Sequence, residues 1–456
     1  MFRYKTDLLN GNIFKSLILF AIPLFISNIF QQLYNTVDIM VVGNYLGDES
    51  LAAIGASAVV YELLVGFALG IGSGMSIVVA RNFGSKDEDA LKRSVAGSLV
   101  AGVFITIGTM IIAQLVLKPL LILLKTPDNI LEEAYSYIWV IAIFVGITFT
   151  YNLCAGLLRA IGDSLTPLVF LIISSVLNIV LDILFITRFH MGVRGAAIAT
   201  IISQGVSAIL CIIYIFKKCH ILIPEKRHFA FNKELYGELL GQGLSMGFMG
   251  SIVTLGSVIL QSAINELGYL TIAGHVAARK INSFSMMPIP TMVFALSTFV
   301  SQNKGADNGY RIRQGVRYAN IMAIVWTGII AVILFFFAPS FVKLLSGSSE
   351  AVVIENGANY LRFNSPFYAI LGVLLNMRFA LQGLGKKMLP LVSSIVELVG
   401  KTIFALLVIP AIGYLGVIIC EPIIWIIMCV QLVYSFYSNP YIKEHKYIVN
   451  YEIERS

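Results

Sequence analysis

Residues 166–187 read TPLVFLIISSVLNIVLDILFIT, an apolar run in which Ser174, Asn178 and Asp182 recur at four-residue steps. A transmembrane helix needs about 20 apolar residues, so the run predicts a membrane span with these three polar side chains on one face. Eleven similar runs flank it, and the twelve predicted spans cover residues 16–45, 51–80, 94–117, 131–158, 166–187, 195–216, 240–266, 271–301, 315–338, 357–382, 389–411 and 415–437. The sequence therefore predicts an all-α membrane protein with twelve transmembrane helices.

The composition favours a membrane protein and excludes a soluble one. Hydrophobic residues make up 58% of the 456 residues, charged residues 12%, and mean hydropathy is +0.85, whereas a soluble domain carries about 25% charged residues. The net charge is +7, but the sequence has no basic clusters interspersed with aromatic residues of the kind that bind nucleic acids. We therefore expect no nucleic-acid partner. The five cysteines are odd in number and lack metal-ligand spacing, so neither a disulfide framework nor a zinc site is expected.

Basic residues outside the spans predict the orientation of the chain. The two termini and the five loops on their side hold 21 Lys and Arg residues, whereas the six loops on the other side hold 5. Cytoplasmic loops carry the excess of Lys and Arg, so both termini are predicted to be cytoplasmic, in a multi-pass protein of the plasma (inner) membrane. Span one is longer than a signal-peptide core, so we expect it to be retained.

Three motifs occur twice in the same order, which indicates an internal repeat. At offsets of 221, 223 and 221 residues, the matching pairs are 81–87 with 302–307, 158–167 with 381–390, and 191–196 with 412–417. Six spans per copy give both copies the same orientation, which makes the repeat parallel. We therefore predict two pseudo-symmetric six-helix lobes, divided as an N-lobe at 1–216, a cytoplasmic linker at 217–239, a C-lobe at 240–437 and a cytoplasmic tail at 438–456.

Polar residues inside the N-half spans predict a buried site rich in oxygen atoms. Span one carries a polar face that includes Gln31, Asn35 and Asp38, and span six carries Thr200 and Gln204 on one face. Together with the stripe on span five they suit a hard monovalent cation or a proton. Carboxylates within a membrane are rarely only structural, so Asp38 and Asp182 are predicted to be functional. The residues interpreted as helix–helix hydrogen-bonding groups are Asn28, Ser174, Gln204 and Ser207, and Glu62 stays open between the two interpretations.

The C-half spans carry charges of both signs. Glu397 and Lys401 are spaced i, i+4, which predicts a structural ion pair. Arg279 and Arg378 either reach the membrane surface or pair with Glu397 or Glu421. His275 is interpreted as a packed, hydrogen-bonded histidine.

Span eight and span two carry features of moving or closely packed helices. Met286, Met287 and Met292 form adaptable apolar surface, which suits varied ligands, although ordinary packing explains each one alone.

Prolines are predicted to kink span one at Pro23 and span eight at Pro288 and Pro290. On span two, the predicted close-contact face consists of Gly66, Gly70 and Gly74.

Several segments resemble motifs of the multidrug and toxic-compound extrusion (MATE) family. They are NTVD at 35–38, RNFGSK at 81–86, LRAIGD at 158–163 with LNIVLD at 177–182, and AGHVA at 273–277. The likeness covers essentially the whole chain. It is closer to the DinF-like and MepA-like branch. The NorM-like branch places acidic residues in spans seven and ten, whereas here span seven is apolar or small through residues 246–250 and span ten has Asn376 and Arg378 instead.

The resemblance implies a transporter that exports lipophilic, cationic compounds in exchange for Na+ or H+. It implies no catalytic residue, and no cofactor or metal apart from the coupling ion. The coupling residues expected from it are Asp38, Asn178, Asp182, Thr200 and Asn152. The residues expected to contact substrate are Asn35, Gln31, Met286, Met287 and Met292. The expected partners are small-molecule substrates and membrane lipids, and we expect a monomer.

Three other functions stay open. A flippase for lipids or lipid-linked precursors belongs to the same superfamily, but such relatives usually carry additional spans. A membrane-embedded enzyme is disfavoured because neither HExxH nor GxSxG occurs. A passive channel differs from a transporter only in its inability to move a substrate against a gradient. The sequence identifies neither the substrate nor the coupling ion.

Overall fold

The computed structural model describes residues 6–445, and this part of the chain is built from helices joined by short turns. The α-helices are α1 (Ile13–Leu46), α2 (Asp48–Gly84), α3 (Glu88–Leu123), α4 (Asp128–Ile143), α5 (Val145–Ala160), α6 (Leu165–Ile183), α7 (Gly192–Lys218), α8 (Lys233–Asn265), α9 (Tyr269–Met286), α10 (Pro288–Gly305), α11 (Gly309–Ser346), α12 (Ala351–Asn364), α13 (Tyr368–Gly383), α14 (Met388–Ile403), α15 (Ile409–Ile412), α16 (Tyr414–Tyr437) and α17 (Pro440–Glu444).

All twelve predicted spans are helical, which confirms the predicted fold class. Within the described residues, nine helical segments are long and apolar enough to cross a membrane unbroken. Two further spans are bent pairs, α4 with α5 at 48° and α9 with α10 at 42°. The remaining span, predicted at 357–382, is formed by α12 and α13 around a 3-10 turn at Ser365–Phe367.

The described chain divides into two compact units. The first contains residues 6–10 and Leu19–Ser251, and the second contains Gly11–Ile18 and residues 252–445. The division falls inside α8, beyond the linker at 217–239 where the sequence analysis placed it. The predicted lobe boundaries stay a prediction, since contact density alone does not define where a functional lobe ends.

Both units repeat the same irregularities at nearly constant spacing. A π-helical turn follows α6 at Leu184–Arg188, and another follows α14 at Phe404–Val408. Lys86 and Asp307, which lie 221 residues apart, are both non-glycine residues with positive φ, at 60° and 53°. Such residues are uncommon, so their recurrence supports the internal repeat.

The first unit contains close helix contacts that depend on glycine. A Cβ atom added at Gly70 would lie 2.7 Å from the backbone of Gly247, and one added at Gly74 would overlap the carbonyl oxygen of Gln242. These two glycines therefore let α2 approach the first half of α8, as predicted. A Cβ atom at Gly66 would meet nothing within 4 Å, so Gly66 does not belong to the contact and the prediction for it is wrong.

The prolines act differently in the two spans where kinks were predicted. Pro288 opens α10 at the 42° bend, which confirms a break in span eight. Pro23 lies inside α1, which continues from Ile13 to Leu46. Span one is therefore not interrupted at Pro23, whose carbonyl oxygen accepts a hydrogen bond of 2.8 Å from Ser27 Oγ.

The linker between the repeats, residues 217–239, contacts the start of α3 in the first unit through His228. Its side chain is 1% exposed, and Nε2 lies 3.0 Å from Asp89 Oδ1 at the start of α3. The Glu225 backbone N–H donates to His228 Nδ1 at 2.8 Å, which leaves Nε2 to donate to Asp89. The Arg227 guanidinium hydrogen-bonds Glu225 and lowers the pKa of that carboxyl group. The linker is therefore an ordered cap on α3.

Candidate functional site

Two carboxyl groups, Asp38 of α1 and Asp182 of α6, lie close enough to interact electrostatically inside the first unit. Asp182 is fully buried, with 0% of its surface exposed. Among the described residues, both Asp182 oxygens and Asp38 Oδ1 lack a hydrogen-bond donor. Two neighbouring carboxylates repel each other, so this pair requires either a proton on one of them or a cation beside them.

Asn178 and Thr200 stand beside this pair. Asn178 lies one helical turn before Asp182, and its Nδ2 donates to Thr200 Oγ1 of α7 at 3.4 Å. Both side chains are buried, and Asn178 Oδ1 has no donor within residues 6–445. Buried acceptors without partners are rare in folded proteins. The amide oxygen therefore adds a further acceptor that suits a hard cation, because such cations prefer oxygen ligands.

The structure does not bring Asn152 into this group. Its Nδ2 donates to the Thr148 carbonyl oxygen of its own helix at 2.8 Å. Its Cβ faces α2, where a Cβ atom built at Gly72 would lie 3.5 Å away. The structure shows no hydrogen bond from Asn152 to Asn178 or Asp182 in the described residues, and its coupling role stays a prediction.

The residues predicted to contact substrate lie on separate units. Gln31 and Asn35 are half-buried on α1. Met286 is buried at the end of α9, and Met287 and Met292 are half-buried at the bend and on α10. Their role in binding substrate stays a prediction.

Three tyrosines lie near the carboxyl pair, and the sequence analysis missed them. Tyr34 is buried beside Gln31 and Gln204, and both Asp38 and Asp182 lie near it. Tyr137 and Tyr61 lie in the same surroundings. Tyr34 stands four residues before Asp38, so the helical spacing contained the signal, but a tyrosine in an apolar span is easily interpreted as packing.

Other polar residues of the first unit have structural partners. Gln204 accepts a hydrogen bond from Thr148 of α5, and Ser207 Oγ donates to the Phe170 carbonyl oxygen of α6 at 2.9 Å. Ser174 Oγ bonds the carbonyl oxygen of Leu171 in its own helix at 3.0 Å. The helix–helix interpretation is thus confirmed for Gln204 and Ser207. Glu62 is exposed on α2, and its role stays open.

The predicted ion pairs of the second unit are present. Lys401 Nζ lies 3.0 Å from Glu397 Oε1, and Arg378 Nη2 lies 3.5 Å from Glu397 Oε2. Arg279 Nη1 donates to both oxygens of Glu421, at 2.9 and 3.0 Å. The two carboxylates Glu397 and Glu421 therefore form two ion-pair clusters with the three cations Arg279, Arg378 and Lys401.

His275 is packed and hydrogen-bonded, as predicted. Its ring is 3% exposed and its Nδ1 lies 3.2 Å from the Tyr414 hydroxyl. The ring also meets Tyr360 edge to face, with centroids 5.0 Å apart. The prediction that His275 is packed and hydrogen-bonded is therefore confirmed by its contacts, and its role stays a prediction.

Comparison with known proteins assigns the family. The MatE family model matches residues 23–184 and 246–407, once in each copy of the internal repeat. The chain is 28% identical over 352 residues to the probable multidrug resistance protein YoeA of Bacillus subtilis (strain 168), with 76% of each sequence covered. It is also 28% identical over 378 residues to the probable multidrug resistance protein YpnP of the same strain, with 83% of each covered.

A solved structure agrees with this assignment. An outward-facing multidrug resistance transporter of the MATE family and MOP superfamily matches with a TM-score of 0.86 at 25% identity, over 95% of this chain and 97% of the other. The matched families and proteins are transporters, and the helices of this chain are those of a multi-pass membrane protein. The chain therefore belongs to the MatE family, the multidrug and toxic-compound extrusion (MATE) transporters.

Proposed function

We propose that the protein is a secondary active transporter that exports lipophilic, cationic compounds in exchange for Na+ or H+. The observation that carries this proposal is the pair of Asp38 and Asp182 in the first unit. Within residues 6–445, both oxygens of the buried Asp182 and Oδ1 of the half-buried Asp38 lack a hydrogen-bond donor. Buried, unsatisfied carboxylates in a membrane are costly and mark ion pathways. The names of the multidrug resistance relatives support the class of substrate.

The chemistry of the pair supplies a coupling step. With a proton or Na+ bound, the repulsion between Asp38 and Asp182 is relieved. When the cation leaves, two negative charges remain side by side in a medium of low dielectric constant, where repulsion is strong. Asn178 and Thr200 would contribute oxygens for Na+ and hydrogen bonds for the protonated form. Loading and release of the cation therefore favour two different states of the first unit.

Alternating access to the two sides of the membrane follows from the same proposal. A ligand shifts a conformational equilibrium only by its difference in affinity for the two states, and the carboxyl pair provides such a difference for the cation. The parallel repeat supplies two similar six-helix halves, an architecture that secondary transporters use for alternating access. We place both termini in the cytoplasm and the protein, as a monomer, in the plasma membrane.

Transport in proteoliposomes tests the proposal. A fluorescent lipophilic cation is followed under imposed Na+ or pH gradients in vesicles of known orientation. Wild type is expected to move the dye against its gradient when one of the two ions is supplied, and that ion is then the coupling ion. Asp38→Asn and Asp182→Asn are each expected to abolish uphill transport. Ser174→Ala, two turns before Asp182 on the same helix, serves as the matched control and should transport normally.

Other results would contradict the proposal. If wild type moves the dye only downhill, the protein is a channel. If neither aspartate substitution changes uphill transport, coupling takes place elsewhere. If lipid analogues cross the membrane and dyes do not, the flippase alternative is correct.

A further inference from the structure

A small cavity in the second unit is bordered by charges that the proposed coupling chemistry does not use. It encloses about 70 Å³ among α8, α9, α12 and α16, with Gln261, His275 and Arg279 on its wall. One water needs roughly 10–15 Å³ of such space, so the cavity holds a group of several atoms. The apolar side chains of Leu260 and Ile264 complete this part of the wall.

Two ion-pair clusters, one on the cavity wall and one that contacts the wall through Ser257, together carry an excess of one positive charge. Arg279, Arg378 and Lys401 are countered by only two carboxylates, Glu397 and Glu421. Four of these five residues are less than 9% exposed, and Arg279 is half-buried. An uncompensated charge inside a membrane protein is expensive and is commonly functional. A bound monovalent anion would neutralise the excess.

The excess positive charge lies close to the cavity. Glu397 is shared between Arg378 and Lys401. Lys401 Nζ also donates to Ser257 Oγ at 3.2 Å, and Ser257 is part of the cavity wall. The Arg279–Glu421 pair borders the cavity directly. Both ion-pair clusters therefore contribute to the electrostatic potential inside the cavity.

Arg279 has donors left for a ligand. All of its contacts are made by Nη1, which donates to the two Glu421 oxygens and lies 3.4 Å from the Tyr360 hydroxyl. Among the residues that the structure describes, Nε and Nη2 have no hydrogen-bond partner, and the side chain is 40% exposed. These two nitrogens form one edge of the planar guanidinium, which matches the two oxygens of a carboxylate.

We propose that this cavity binds the carboxylate of an amphiphilic compound, held in two hydrogen bonds by Arg279 Nε and Nη2. One carboxylate neutralises the single excess charge, whereas a dianion would reverse it. The apolar wall accepts the adjoining hydrocarbon. The site extends the substrate class beyond cations, to carboxylates and to compounds that carry both groups. Its part in transport rests on the proposed function, but binding itself does not.

Binding of 1-pyrenebutyrate and of its methyl ester to the purified full-length protein tests this site, after subtraction of binding to empty micelles. Wild type should bind the acid about tenfold or more tightly than the ester, since hydrogen bonds to charged groups contribute at least that factor. Glu421→Gln should tighten binding of the acid severalfold, because the competing carboxylate is removed. Arg279→Gln combined with Glu421→Gln should lower acid binding to the level of the ester.

Lys280→Gln is the matched control. Lys280 follows Arg279 on α9 but is exposed, so its loss should leave the preference for the acid unchanged. Equal binding of acid and ester by wild type would overturn the proposal, as would a preference that survives in the double variant. Asp38→Asn should keep the preference. If the preference is present while gradient-driven transport is not, the proposed function fails and the site stands.

Discussion

At the scale of single residues, the two units treat buried charge in opposite ways. In the first unit, Asp182 is completely buried and its oxygens lack donors among the described residues. In the second unit, Glu397, Lys401 and Glu421 are buried in ion pairs. A charge that lacks a partner is the more costly arrangement, so the first unit is where binding and release of a cation would change the energy most.

The carboxyl pair could be predicted from sequence, but its surroundings could not. Asp38 and Asp182 stand out because carboxylates are rare in apolar spans, and Asn178 follows from its four-residue spacing to Asp182. The pairing of Arg279 with Glu421 joins residues 142 positions apart. Such a contact depends on how helices pack, and no local spacing determines it. The sequence alone therefore did not decide whether Arg279 pairs with Glu397 or with Glu421.

The shared carboxylate of the second unit leads to a stability prediction. Glu397→Gln leaves Arg378 and Lys401 buried without a counter-charge, and loss of one partner of a buried pair costs about 3–5 kcal/mol. Lys401→Met leaves Arg378 with Glu397 as a balanced pair and should cost clearly less. Thermal unfolding of the purified variants in detergent shows which of the two substitutions destabilises the protein more. The argument fails if Lys401→Met is the more destabilised of the two.

At the scale of elements, length and composition were sufficient to locate the helices, whereas their breaks depended on local chemistry. The break in span eight was predictable because Pro288 cannot continue a helical hydrogen-bond ladder. The 48° bend between α4 and α5 falls at Phe144, where no proline stands. Pro23, in contrast, is accommodated within α1. Proline therefore predicts only some of the breaks in the membrane-spanning helices, and packing between helices determines the others.

The glycines of α2 give a prediction at the same scale. In a helix, Gly→Ala normally stabilises by up to about 1 kcal/mol. At Gly70 and Gly74 the new methyl group would overlap the backbone of α8, so Gly70→Ala and Gly74→Ala should destabilise by about 1–3 kcal/mol. Gly66→Ala is the control, because its methyl group would meet nothing. Melting temperatures in detergent should fall for the first two variants and not for the third. Equal behaviour of all three would mean that α2 does not need its close contact.

At the scale of the whole molecule, the internal repeat connects sequence, fold and family. The motif offset of 221 residues reappears in two positive-φ residues, Lys86 and Asp307, and the two π-helical turns, which begin at Leu184 and Phe404, recur at nearly the same spacing. The family model also matches twice. The repeat was predictable because turn motifs tolerate few residue types. The boundary between compact units was not, because α8 is one continuous helix and contacts assign its two halves to different units.

The parallel repeat also makes a topological prediction. Corresponding loops of the two copies must lie on the same side of the membrane if each copy has six spans. Single cysteines are placed at exposed loop positions in a background without native cysteines, as Lys86→Cys, Asp307→Cys, Lys125→Cys and Ser349→Cys. In intact cells, a membrane-impermeant maleimide should label only the positions of Lys125 and Ser349. Lys86 and Asp307 lie in the basic loops, so their cysteines should react only after permeabilisation. Labelling of Lys86→Cys and Asp307→Cys from opposite sides would mean that the copies are inverted, and the two halves would then not be related by an axis along the membrane normal.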